Sequence, residues 1–184
     1  MGRIGVHEFT TVDGVIGAPM WTMDYPFDPR MGEAIGALMT ASSAILFGRV
    51  TYQEFAPAWS TRTAEDDPGA PFMNDTPKYV VSATLSEKSA DWAPTTILGG
   101  YDPATIRKFK DGIDGNIYVS GSGTLVRAML ADGLVDELHL YVYPVALGSG
   151  PRLFPDGAPK TAMTLVDHDR YDNGVIRLGY APVG

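Results

Sequence analysis

GNIYVSGSGTLVRAMLADGLVDELHLYVYPVALGSGPRLF, residues Gly115 to Phe154, reads as strand, glycine turn, helix and strand. Ile117-Tyr118-Val119 is a short β-rich run, and Ser120 to Thr124 is a turn that opens a helix. Leu125, Val126, Met129 and Leu130 recur at helical spacing, and Gly133 stops the helix just past its last turn. Glu137 to Tyr143 returns to β character before Pro144. Such a βαβ unit aims the first N–H groups of its helix, with the positive end of the helix dipole, beyond the strand tips. Glycines there let a phosphate approach the backbone. A plain tight turn capped by Ser or Thr accounts for this one turn equally well.

Upstream, Arg3 to Thr10 alternates as a first strand and runs into a loop, Thr11 to Gly17, marked by Asp13-Gly14. Asp28-Pro29 is a helix start, with Asp as cap and Pro in the first turn. Met31, Ile35, Leu38 and Met39 then share one face of a helix over residues 29–41. Residues 44–47 predict a buried strand, followed by a second glycine turn, Gly48-Arg49-Val50-Thr51, that feeds a helical piece through Phe55. Residues 56–75 are polar and rich in Pro, Ala and Asp, which predicts a surface excursion with at most one helical turn. Strands are expected at 78–81 and 95–98, with a helix at 103–110. Downstream, strands at 163–168 and 175–180 are joined by Asp172-Asn173-Gly174, a hairpin signal. Strands alternating with helices predict an α/β fold, a mostly parallel sheet covered on both faces, with an antiparallel C-terminal hairpin at its edge.

Composition narrows the function. The chain has 184 residues, 45% of them hydrophobic, which suits one domain with a substantial core. It carries 14 basic against 22 acidic residues, net −8, and no Lys/Arg cluster, which argues against nucleic acid as a partner. Without cysteine there is no disulfide, thiol nucleophile or thiolate metal site. His7, His139 and His168 fall in strands with no spacing for a shared metal, and Glu65-Asp66-Asp67 lacks the ligand pattern of a calcium loop, so no metal is expected. No apolar run reaches membrane-spanning length and no leader pattern opens the chain, so a cytoplasmic protein is expected.

In a parallel α/β sheet the loops at the strand carboxyl ends gather at one edge, where ligands bind. Three such loops carry phosphate-compatible chemistry. Gly48, Arg49, Val50 and Thr51 offer a guanidinium fork, and Ser82, Ala83 and Thr84 offer hydroxyls. Gly121, Ser122, Gly123, Thr124 and Leu125 offer backbone N–H groups for a pyrophosphate. The Rossmann fingerprint is absent, because position 126 is Val where a third glycine belongs, and no Gly-Lys-Ser/Thr makes a P-loop.

Three segments resemble the dihydrofolate-reductase-like fold, and within it the group of the reductase domain of riboflavin biosynthesis, the RibD C-terminal domain. They are Val12 to Gly17 with Trp21, the turn Phe47 to Tyr52, and SGSGTLVRAMLADGLVDELHLYVYPVALGSGPRLF. The likeness runs from about residue 3 to 181. It implies one domain binding NADPH, with nicotinamide beside Ile16 and Gly17, pyrophosphate on Gly121 to Leu125, and the adenosine 2′-phosphate near Arg49 and Ser82. It also implies a homodimer and hydride transfer to a small heterocyclic or carbonyl substrate. The alternatives are a dihydrofolate-reductase-type enzyme and a non-catalytic nucleotide-binding protein that kept the fold. Two features depart from the group: Ser120 stands where riboflavin reductases typically carry Glu, and residues 29–41 lack their basic and histidine pattern.

On the substrate side, Asp28 is the first candidate for a proton-delivering acid and Asp24 the second. A carboxylate in a partly apolar pocket beside Trp21 gains a raised pKa. Helix capping alone is the stronger explanation of Asp28, and turn formation that of Asp13, the other substrate-side carboxylate. Trp21 either floors a substrate pocket or packs in the core. Met20, Met23, Met31 and Met39 read as core and pocket wall, and Tyr141, Tyr143 and His139, on one strand face, as a dimer surface.

Overall fold

Alternation along the first strand, β1 (Arg3–Thr11), sends Ile4, Val6, Glu8 and Thr10 to one face of a sheet and His7, Phe9 and Thr11 to the other. The computed structural model describes residues 2–183 and builds both faces into cores. After β1 come a 3-10 turn (Pro19–Asp24), α1 (Pro29–Thr40), β2 (Ser42–Gly48), α2 (Arg49–Trp59), α3 (Ala70–Asp75), β3 (Lys78–Val81) and β4 (Thr95–Gly99). A short 3-10 turn (Glu87–Ser89) lies between β3 and β4. Then follow α4 (Pro103–Gly112), β5 (Asn116–Ser120), α5 (Gly123–Ala131), β6 (Glu137–Tyr143), β7 (Met163–Arg170) and β8 (Ile176–Pro182).

The eight strands form one sheet in the order β4-β3-β2-β5-β1-β6-β8-β7. Every pair from β4 through β6 is parallel, and β8 pairs antiparallel with both β6 and β7. The β7–β8 turn closes as its residues dictate: Tyr171 N–H donates to Val175 O (2.9 Å), Asn173 Oδ1 accepts from Val175 N–H, and Gly174 adopts φ +88°.

One core lies against α4 and α5, where Leu46, Ile117, Val119, Val126, Met129 and Leu138 are buried. On the opposite face Ile45, Phe47, Tyr52, Met73 and Trp92 pack beneath α2 and α3, and a third cluster joins Met31 of α1 to Tyr141, Tyr143, Tyr171 and Val175. Helix α1 begins as its sequence requires: the Asp28 carboxylate accepts from Arg30 N–H (2.9 Å) with Pro29 in the first turn. Tyr141, Tyr143 and His139 are buried inside the chain (0%, 3% and 6% exposed), so they are core rather than the dimer surface expected of them.

The segment at 56–75 differs from the surface excursion expected. Helix α2 continues to Trp59, and α3 buries Ala70 and Met73. A lysine explains the second element. Lys78 is fully buried, and its Nζ donates to the carbonyls of Met73 (2.9 Å), Asn74 (2.8 Å) and Thr76 (3.0 Å), the orphan acceptors at the end of α3. No helical periodicity in a six-residue element announces this.

Candidate functional site

The N-termini of α2 and α5 meet at the carboxyl ends of β2 and β5. Gly48 N–H donates to Ser122 Oγ (2.9 Å), and Ser122 N–H donates to Thr51 Oγ1 (2.9 Å). Neither helix has a side-chain cap. The first-turn amides of Arg49, Val50 and Thr51, and of Gly123, Thr124 and Leu125, therefore have no intrahelical acceptor and no capping oxygen. Two positive helix ends thus converge on one spot. The backbone that allows this is unusual: Gly121 has φ +62°, and Ser122, a non-glycine, sits in the left-handed region at φ 59°. A side chain on Gly123 would lie 2.3 Å from Ile16 Cδ1, so the α5 turn and the loop after β1 touch only because residue 123 is glycine.

The third turn is their neighbour. Gly48 is in register with Val81, so Arg49 and Ser82 leave adjacent strand tips. Arg49 is exposed, and its guanidinium donates only to Gln53 Oε1 (3.2 Å) among the described residues. Ser82 differs from expectation: its Oγ accepts from Thr84 N–H (3.1 Å) and Leu85 N–H (2.9 Å), closing its own turn. Ala83 and Thr84 stay exposed at that tip. The three turns anticipated from sequence therefore share one edge of the sheet.

On the other side of the α5 turn, Ile16 N–H donates to Pro151 O (2.8 Å), and Gly17 lies against the Pro151 ring. Asp13 fastens this loop. It accepts from Thr11 Oγ1, Leu147 N–H (3.2 Å) and Gly148 N–H (2.8 Å), with Arg152 at 3.6 Å. The Thr11 hydroxyl, against some opposing desolvation, and the two amides hold its carboxyl down at about 2. Both oxygens are engaged within the loop, which corrects Asp13 from substrate ligand to structural clasp.

Beyond Ile16 the strand tips of β1 and β6 carry an aromatic wall. Trp21, Tyr25 and Phe9 stand edge-on to Tyr143, with ring centroids at 5.2, 5.4 and 5.6 Å. Trp21 is half-buried, and Asp24, Met20 and Met23 are exposed beside it. Met31 lies in the core, so the methionines divide between lip and interior. Asp28 does not have the raised pKa expected of an acid beside Trp21. The Arg30 side chain (3.1 Å) and the Asp172 N–H (2.9 Å) hold its carboxyl below the usual range. It caps α1 and ties it to the β7–β8 turn, so it holds no proton at neutral pH.

Two buried titratable groups flank β1 on opposite faces. Glu8 is 3% exposed with Oε1 unpartnered. Burial pushes its carboxyl up to about 8 against the opposing pull of Arg127. On the other face of β1, His7 Nδ1 lies 2.9 Å from the Tyr118 hydroxyl, and burial, with His139 nearby, holds the imidazole down at about 3. The signal for Glu8 was present: it shares the inward phase of β1 with Ile4 and Val6, where an acid is out of place.

Residues 4–177 match the RibD C-terminal domain. The uncharacterized protein YyaP of Bacillus subtilis (strain 168) is 27% identical over 97% of this chain and 94% of its own length. Among solved structures, a putative riboflavin biosynthesis protein from Shewanella sp. PV-4 superposes with a TM-score of 0.79 at 20% identity, each chain covered completely. Dihydrofolate reductase from Enterococcus faecalis, solved with NADP(H) and RAB-propyl, gives a TM-score of 0.60 at 14% identity over 100% of this chain and 98% of that one. With its mostly parallel sheet, antiparallel hairpin and a family match along nearly its whole length, the chain belongs to the RibD C-terminal domain family and has a dihydrofolate-reductase-like fold.

Proposed function

We propose that this protein is an NADPH-dependent reductase that transfers hydride to a small heterocyclic or carbonyl substrate, as its likeness to the riboflavin-biosynthesis reductase domain implies. The observation that carries the reading is the pair of uncapped helix N-termini locked together through Gly48, Ser122 and Thr51. Two helix dipoles and six first-turn amides suit a pyrophosphate, and glycine at 121 and 123 lets it reach the backbone. Arg49, which has no acid partner in the described structure, suits the 2′-phosphate of the adenosine ribose. Ser82 serves that end by shaping the turn, and Thr84 supplies an open hydroxyl.

When bound, the nicotinamide supplies the hydride; the protein supplies position and exclusion of water. Ile16 and Gly17, held against Pro151, would flank the nicotinamide. The partly buried rings of Trp21 and Tyr25, packed on the buried Tyr143, would border the substrate beside it. Asp28 stays ionised against Arg30, so it does not supply the proton that completes reduction, which leaves Asp24 as the candidate acid. Titration calorimetry with NADPH tests the reading; a protein that binds neither NADPH nor NADP+ overturns it.

We also propose a homodimer. Edge strand β7 exposes Leu165 (47%) and Val166 (58%) with its outer backbone side unpaired, a surface suited to a second copy. Sedimentation of the wild type and of Val166→Glu tests it, with a monomeric wild type the opposing result.

A further inference from the structure

We infer that Arg127 binds the diphosphate from the Ile16 side of the α5 mouth, and that the buried Glu8 behind it governs that contact; the inference rests on the reductase reading above. Charge balance leaves a place for such a group. Two helix ends supply about +0.5 each, whereas a dinucleotide diphosphate carries about two negative charges. Arg49 stands on the α2 side, at the tip of β2 beside Ser82.

Arg127 occupies the opposite side. It lies one helical turn beyond Gly123 on the same face of α5. Its guanidinium folds back over the helix start: Nη2 donates to Thr124 Oγ1 (3.0 Å), and Nη1 lies 3.7 Å from where a side chain on Gly123 would begin. Ile16 touches that same position, so the guanidinium and Ile16 flank one spot. Nη1 also donates to the Arg152 carbonyl (2.9 Å), which anchors the side chain. Both partners are neutral oxygens, so the positive charge is uncompensated and the guanidinium keeps further donors. A cleft of about 260 Å³ between α5 and residues 153–161 leaves its outer side open. Asp156 lines the same cleft, and among the described residues neither it nor any other carboxylate is ion-paired with Arg127.

What keeps Arg127 unpaired is the state of Glu8. This acid is 3% exposed, with Oε1 unpartnered, on the face of β1 whose Ile4 and Val6 share a core with Val126 and Met129 of α5. Arg127 is the charge that acts on it, and burial outweighs that attraction, so the carboxyl keeps its proton up to about pH 8. The other groups around it add no charge. Its β6 partner is Leu140, Val6 and Thr10 flank it on β1, β5 ends at Ser120, and Arg152 turns its guanidinium to Asp13. His7, Tyr118 and His139 lie on the opposite face of the sheet. A phosphate beside Arg127 makes Glu8 harder to ionise; reciprocally, an ionised Glu8 claims the guanidinium and weakens the phosphate. Affinity for a diphosphate therefore holds below about pH 8 and falls above it.

ADP-ribose tests this, because it carries the diphosphate without the nicotinamide and its diphosphate does not titrate near neutral pH. In calorimetric titrations at neutral pH, Arg127→Gln is expected to weaken ADP-ribose, NADPH and NADH alike, by about tenfold or more, and Arg127→Lys to recover part of the loss. Wild-type affinity for ADP-ribose is expected to fall roughly threefold or more between about pH 7 and pH 9, and Glu8→Gln to remove that fall. Arg127→Gln with wild-type affinity for ADP-ribose overturns the inference, as does an alkaline fall that survives Glu8→Gln. Should either variant fail to fold, the wild-type profile decides: affinity constant to about pH 9 overturns the role given to Glu8. A wild type that binds ADP-ribose through Arg127 yet not NADPH sinks the reductase reading and keeps this one. NADPH binding untouched by both Arg127 substitutions does the reverse, and a wild type that binds neither ligand overturns both.

Discussion

The amide of Gly48 donates to the hydroxyl of Ser122 across 2.9 Å, joining residues 74 apart in sequence at the mouths of two helices. The reciprocal bond, Ser122 N–H to Thr51 Oγ1, is buried. Together they engage four polar groups at this junction, Gly48 N–H, Ser122 Oγ, Ser122 N–H and Thr51 Oγ1, and leave the first-turn amides free. The site is thereby preorganised, so little order must be created when an anion arrives.

Thr51→Val removes the acceptor for a buried amide while keeping the side-chain shape. The orphaned Ser122 N–H is expected to cost about 1–3 kcal/mol of stability, measurable by urea denaturation. Affinity for NADPH is expected to fall as well, because α5 loses its fixed relation to α2. A variant with wild-type stability and affinity would show that the bond is not what aligns the helices.

Arg49→Ala should separate the two nicotinamide carriers. Loss of a charge-assisted bond to the 2′-phosphate is expected to weaken NADPH by about 1.5–3 kcal/mol, roughly ten- to a hundredfold, and to leave NADH nearly unchanged. Parallel calorimetric titrations measure both. Equal losses would move the 2′-phosphate elsewhere.

Asp28 is a fastening in the structure, and its substitution should behave accordingly. Asp28→Ala is expected to lower the melting temperature by removing the α1 cap and the tie to Asp172, with kcat for any reducible substrate changed little. Its depressed pKa fixes the sign of the acid dependence. The stabilisation is present above the ordinary carboxylate range and is lost as pH falls through the lowered value. A large fall in kcat without a fall in melting temperature would restore Asp28 as the proton donor.

Glu8 and His7 impose opposite slopes on stability. Glu8 is raised from 4.5 to about 8, so the folded chain holds a proton that the unfolded chain gives up. Stability from this group is complete below pH 4.5 and declines up to about pH 8. His7 is lowered from 6.5 to about 3, so its contribution is complete above pH 6.5 and is lost toward pH 3. Glu8→Gln is expected to flatten the alkaline decline and leave the acid one, as followed by denaturant midpoints across pH. An unchanged alkaline limb would place the ionisable cause elsewhere.

The local features of this fold were legible because they rest on short-range chemistry. Strand alternation, the helix of Leu125 to Leu130, the Asp28-Pro29 start and the Asn173-Gly174 hairpin each depend on residues a few positions apart, and the structure contains all four. The order of turns along the chain also sufficed to anticipate that Gly48, Ser82 and Gly121 share one edge, since parallel strands put like ends together. What each polar side chain does there was not legible. The oxygens of Asp13 meet Leu147 and Gly148, 134 and 135 residues on, and Asp28 meets Asp172 across 144. Lys78 makes a helix end from a segment that reads as loop. A carboxylate's proton and a lysine's acceptors are set by whichever distant segment excludes water around them. Composition and periodicity carry no information about that neighbour. The sequence alone therefore determined the scaffold and the edge at which it is open; only the packed chain decided which of its acids are clasps, which is protonated, and which helix ends are left bare.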